Sequence, residues 1–172
     1  MRPGVRIAAR PLDDARFARY GTVIRRPSSA GRTAFDGVLG CAHPDGRLRA
    51  SMSRLDPEPL PKAFPRMERH PHAVQLFLPM AGTCYLAVTA LGADAPDLTT
   101  LDAFLVPCDV GIAYGIGVWH VPMTVLADPA TFLVLMHRVS PELDEDWHTL
   151  REPIEVADAD GPGAQLNAER RE

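Results

Sequence analysis

Cysteine is scarce in this chain of 172 residues: Cys41, Cys84 and Cys108 are odd in number and contain no Cys-x-x-Cys pair. Such a set suits neither a disulfide framework nor a thiolate zinc site, and it reads as reduced thiols in a cytoplasm. Basic residues are never concentrated either, since no basic run is longer than Arg25-Arg26 and the net charge is -4. Without a basic footprint, nucleic acid and anionic membrane surfaces are poor partners, and a small molecule is the expected one. Long apolar runs are also missing. Nothing reaches the roughly 18 residues of a membrane span, and Arg6 and Arg10 break up the start before a secretory apolar region could form. A soluble, unprocessed protein without internal repeats is expected.

What is present suits one all-β domain, because 46% hydrophobic content over this length is enough for a sizeable single core. We place the domain at residues 1–156. Residues 157–172, with Gly161-Pro162-Gly163 and a charged end, are expected to form a flexible tail. Acids at the start, Arg19 near the end and a following glycine predict a short helix over 13–21. Strands are expected from Thr22, over 49–55, over 75–79 leading through a hairpin at 80–83 into 84–91, and over 121–126 and 131–136 around Asp128-Pro129. The segment 98–105 is too short to assign between strand and helical turn. Four prolines make 56–65 an extended connector that is neither strand nor helix. Ser140-Pro141 could start a helix over 140–148, and the glycines of 111–117 mark a bulge or a close backbone approach.

Chemistry concentrates at Met67–Gly82. In an extended chain, alternation would put Glu68, His70 and His72 on one face and Arg69 on the other. The spacing Glu68-x-His70-x4-Gln75-x6-Gly82 is similar to the first motif of the cupin superfamily, and Gly117 three residues before His120 is similar to the second. Glu68-Arg69-His70-Pro71, Gln75, Phe77, Pro79, Pro96-Asp97-Leu98, Ala103-Phe104, Gly117-Val118-Trp119-His120 and Pro122 together resemble the ureidoglycolate lyase family.

The resemblance implies a cupin-like (RmlC-like) β-barrel, or double-stranded β-helix, with a short N-terminal helix, working as a cytoplasmic homodimer. It implies a carbon–nitrogen lyase that eliminates urea from (S)-ureidoglycolate to give glyoxylate, in allantoin and purine breakdown. Glu68, His70 and His120 are then the catalytic candidates. Glu68, His70, Gln75 and His120 are the candidate ligands of one divalent ion, for which nickel, manganese, iron and zinc all suit the mixed N and O set. Glu68 is alternatively the base itself, and Gln75 a hydrogen-bonding partner instead of a ligand. Arg54, His72, Tyr114 and Trp119 are the candidate substrate contacts. Against these stand an exposed strand arginine, a rim histidine, a plain barrel tyrosine and a tryptophan that packs beside the site; for His137 a structural role is expected. Ala113, Gly115, Ile116 and Val121 stand where family members commonly carry Asn, His, Arg and a second His, which predicts a pocket more apolar and poorer in donors. That leaves two other readings: a different small-molecule cupin enzyme (isomerase, decarboxylase or oxygenase), or a catalytically silent binding cupin.

Overall fold

The structure, a computed structural model, describes residues 4–158. Its elements are β1 (Arg6–Pro11), α1 (Asp14–Phe17), β2 (Gly21–Ile24), β3 (Arg47–Leu55), β4 (Lys62–Arg69), β5 (Gln75–Ala81), β6 (Tyr85–Leu91), β7 (Asp97–Val106), β8 (Gly111–Tyr114), β9 (Trp119–His120), β10 (Thr124–Val125), β11 (Ala130–Arg138), α2 (Pro141–Asp144) and β12 (Asp146–Asp158). The expected all-β barrel with a short N-terminal helix is what the chain forms.

Helix α1 is a single turn. The Asp13 carboxylate caps it by accepting from the Arg16 N–H, and Gly21 already opens β2. The turn is held from the sheet side: Arg16 and the Tyr20 hydroxyl both donate to the buried Asp102 carboxylate on β7, so that charge enters the interior with its partners. Phe17 meets Phe104 edge-to-face at 5.6 Å.

Strands β6, β7, β1, β12, β4 and β9 pair in that order, and β9 pairs back to β6, which closes a ring. All six send apolar residues into one cluster, including Leu86, Leu105, Ala9, Ile154, Met67 and Trp119. That cluster is the ring's filled interior. The second sheet runs β2-β8-β5-β11-β3. Its Phe77, Ile112, Tyr114 and Phe132 pack against Tyr85, Ala87, Phe104 and Val106 of the ring, so a second apolar layer lies between ring and sheet. Tyr85 and Phe132 meet edge-to-face at 5.1 Å across it. Each such buried aromatic contributes about 2 kcal/mol by transfer from water alone.

Several expectations need correction. β5 and β6 are no hairpin: β5 pairs with β8 and β11 in the second sheet, β6 with β7 and β9 in the ring and with β10 beside it. The turn between them crosses the layers. Gly82, at φ 124, makes that crossing so close to Ala130 that a Cβ would stand 2.4 Å from the alanine's own. The proline-rich connector ends early, because Lys62–Arg69 is strand. Pro65 is accommodated where the β4–β12 ladder is interrupted, between the Phe64↔Ile154 and Arg66↔Thr149 pairs. Residues 98–105 belong to β7, whereas the strand expected over 121–126 shrinks to Thr124–Val125. The helix begun at Ser140 stops at Asp144, since Glu145 is already extended and β12 follows. Ala157 and Asp158, expected in the tail, still pair with Ala8 and Ala9; residues 159–172 lie outside the described part. β1 was not anticipated at all.

Candidate functional site

Strand β4 brings Glu68 to face His120 of β9, the one pair joining those strands, and β12 sets Trp147 on the other side of Glu68. His70 follows β4 directly. Its carbonyl accepts the Gly117 N–H at 2.9 Å, which ties the first histidine segment to the turn before the second. Gly117 takes φ 74 in that turn, a conformation glycine adopts without cost. From the second sheet, Gln75 and Tyr114 pair as cross-strand neighbours and point across the layer to the same place.

The result is a compact centre. One ligand atom from each of Glu68, His70 and His120 lies within 4.8 Å of the others, and the His70 and His120 ring centroids are 5.4 Å apart. His120 Nε2 lies 3.2 Å from Gln75 Oε1 and 3.6 Å from Glu68 Oε1. The Tyr114 ring stacks on the His120 ring at 4.1 Å and 18°. His70 and His120 are 3% and 1% exposed.

Backbone carbonyls set the tautomers. His70 Nδ1 lies 2.8 Å from the Asp144 carbonyl and His120 Nδ1 2.9 Å from that of Val118. A carbonyl only accepts, so each Nδ1 carries the proton and each Nε2 turns a lone pair toward the centre. Burial keeps both rings neutral: it lowers the His70 pKa, and with the neighbouring His70 it lowers that of His120 to about 3. Burial, followed by the charge of Glu145, raises the Glu68 carboxyl to about 7. Burial also holds the Tyr114 hydroxyl well above its ordinary value, with the Glu68 charge adding to it.

These residues fit a divalent cation. His70 Nε2 is buried with no hydrogen-bond partner, and Gln75 Oε1 faces a His120 nitrogen that is itself an acceptor. A cation between them relieves both conditions. Glu68, His70 and His120, with the Gln75 oxygen, could hold such an ion. Its affinity will fall about tenfold per pH unit below pH 7, because a proton then competes for Glu68 while the two histidines are already neutral. Zinc titration by calorimetry between pH 8 and pH 5 checks this; an affinity that is flat across the range removes Glu68 from the ligand set.

The substrate contacts are placed differently. Tyr114 lies at the centre and keeps a buried hydroxyl without a partner. His72 does not share the face of His70, because β4 ends at Arg69; its ring meets His43 at 5.3 Å instead. Trp119 points into the ring interior beneath the Arg69 guanidinium, with centroid and Cζ 4.7 Å apart. Arg54 pairs with Thr131, in a register where Ser51, Val134 and Phe77 form the row facing the layer. Three residues from Ser51, Arg54 projects from the outer face. His137 is on that outer face too. Arg138 and Glu145, which both act on Glu68, were not singled out; their common signal is closeness to Asp144, whose carbonyl holds His70.

The four family departures mostly lie away from the centre. Ala113 packs on the outer face of the second sheet, Val121 in the ring interior, and Ile116 is 41% exposed. At Ala113 and Val121, therefore, the substitutions do not make the pocket more apolar.

A family model described as "Ureidoglycolate lyase" matches residues 5–157. Ureidoglycolate lyases of Escherichia coli O1:K1 / APEC and of Shigella boydii serotype 18 are each 33% identical over 133 residues, which is 73% of this chain and 83% of theirs. Among solved structures, a dTDP-4-dehydrorhamnose 3,5-epimerase from Elizabethkingia anophelis NUHP1 gives a TM-score of 0.41 at 14% identity, covering 56% of this chain and 53% of that one. A dTDP-6-deoxy-D-glucose-3,5-epimerase from Legionella pneumophila Philadelphia 1 gives 0.40 at 14%, covering 65% of each. With the family model spanning almost every described residue and the identity extending over most of both chains, this protein is a member of the ureidoglycolate lyase family and an enzyme of the lyase class.

Proposed function

We propose that the protein eliminates urea from (S)-ureidoglycolate to give glyoxylate, in allantoin and purine breakdown. The observation that carries this reading is the convergence of the half-buried Glu68 carboxyl, which burial raises to about 7, with the buried imidazoles of His70 and His120 within 4.8 Å of one another in a chain of this family. Elimination from a carbinolamine requires that the hydroxyl proton leaves, that its electron pair forms the carbonyl as the C–N bond breaks, and that the departing nitrogen gains a proton. A carboxyl that is half ionised near neutrality suits both transfers, since it takes a proton readily and returns it readily. Glu68 removes the hydroxyl proton and delivers it to the leaving nitrogen, which balances the reaction without net proton uptake. Tyr114, kept protonated by burial, donates a hydrogen bond to the forming carbonyl oxygen.

A divalent ion, whether nickel, manganese, iron or zinc, held by His70, Gln75 and His120 would supply Lewis-acid polarisation of the hydroxyl, and where Glu68 joins that ligand set it gives up the role of base. The histidines' part is to present fixed Nε2 lone pairs. In this reading the enzyme is a cytoplasmic homodimer, which the family resemblance supports; no helix among the described residues is long and apolar enough to cross a membrane.

The test is urea release by purified protein loaded in turn with nickel, manganese, iron and zinc. Release well above the substrate's spontaneous decay is expected with at least one. No release with any of them removes the lyase reading.

A further inference from the structure

We propose that Arg49, assisted by Arg138, is the carboxylate-binding subsite of this centre and selects small 2-hydroxy acids over their neutral analogues. The inference rests on the reading above for the reaction, but on separate residues for its geometry.

A cavity of about 250 Å³ opens beside the centre, lined by Arg49, Ser51, Gln75, Val134, Met136 and Arg138. Its size suits a molecule of few heavy atoms. Register explains why these six meet. Arg49 pairs with Met136, Met136 with Gln75, and Gln75 with Tyr114, so one cross-strand row of the second sheet leads from Arg49 to the tyrosine stacked on His120. Neighbouring strands lie about 4.8 Å apart, so Arg49 stands two strands, or roughly 10 Å, from Gln75, a gap that an extended arginine and a two-carbon acid can span together. Gln75 belongs to both places. It lines the cavity and lies against His120.

The charges in this cavity are differently committed. Arg138 donates through Nε to the Asp144 carboxylate at 2.8 Å, and Asp144, 6% exposed, also accepts the Val139 N–H and, through its carbonyl, the His70 Nδ1–H. Arg138 is thereby fixed relative to His70, with its terminal nitrogens uncommitted among the described residues. Arg49 has no acidic partner among the described residues. A guanidinium on the wall of a small cavity, with a fixed second one two residues along the next strand and the Ser51 hydroxyl between, offers planar paired donors that match a carboxylate. With the carboxylate there, the α-carbon hydroxyl lies on the Gln75 side, toward Glu68 and the histidines. Arg54, on the opposite face, cannot take part.

Two measurements test the subsite. In the urea-release assay, Arg49→Gln is expected to raise KM by about tenfold to a hundredfold, the range for a lost charged hydrogen bond, with kcat changed less than about threefold and partial recovery in Arg49→Lys. An unchanged KM in Arg49→Gln, or a rise in Arg54→Gln instead, overturns the proposal while leaving the lyase reading intact. The second is titration of wild type and Arg49→Gln with glycolate and with its neutral amide, glycolamide, which needs no turnover. Wild type is expected to prefer glycolate by at least tenfold and the variant to lose that preference, a result that upholds the subsite even if no urea is released. Equal binding of the two by wild type, or a preference that persists in the variant, overturns it.

Discussion

Replacing His120 with alanine will lower urea release by about a hundredfold or more, the loss expected when a group at the reacting centre is removed. The imidazole touches everything that matters there: its Nε2 faces Gln75 and Glu68, and its ring carries Tyr114. Removing it leaves a cavity at a position only 1% exposed, so the stability of the variant must be measured beside its rate. His120→Asn, which keeps part of the volume and an amide for the Val118 carbonyl, separates the two effects. The site assignment fails if a folded His120→Asn protein retains activity within tenfold of wild type.

The second large effect is expected at a glycine that carries no chemistry of its own. Gly21→Ala adds a single methyl, yet its Cβ would stand 1.9 Å from the Ala113 carbonyl oxygen and 2.9 Å from the carbon. Those are backbone atoms inside a ladder and cannot rotate away, so β2 has to part from β8. The pair broken is Gly21↔Tyr114, next to the Gly115 N–H bonded to the Tyr20 carbonyl. Overpacking of this kind costs about 3 kcal/mol, and it moves the strand whose tyrosine stacks on His120. A guanidinium chloride midpoint shows the first effect and urea release the second. A variant as stable as wild type would mean that β2 can shift freely on β8.

Where the sequence carried a pattern, the structure was readable from it. Two histidine segments at cupin-like spacing bring His70 and His120 to one centre, and Phe77 and Phe132 are core residues as their apolar strands require. Arg54 shows where reading stops. β3 is exposed along most of both faces, so Arg49-Ala50-Ser51-Met52-Ser53-Arg54 has no apolar alternation to say which face looks inward, and a choice between arginines 49 and 54 cannot be made from it. The supposed hairpin at 80–83 fails for a related reason: a glycine turn announces a reversal without stating which sheet receives the next strand. His72 was placed with His70 by assuming that alternation continues, but β4 ends at Arg69 and parity ends with it. The departures at 113 and 121 misled in the same way, since a substitution has no direction until its face is known.

The closing pair of the ring, Glu68 against His120 on a strand of two residues, is also the chemical centre. Barrel closure therefore runs through the shortest of its ladders, between the two strands whose residues would hold a cation. An ion present at a hundredfold excess over its Kd adds about 2.7 kcal/mol to the folded state. Glu68 and His120 stand on the two strands of that seam, so an ion held there would add its binding energy where a single ladder pair joins β4 to β9.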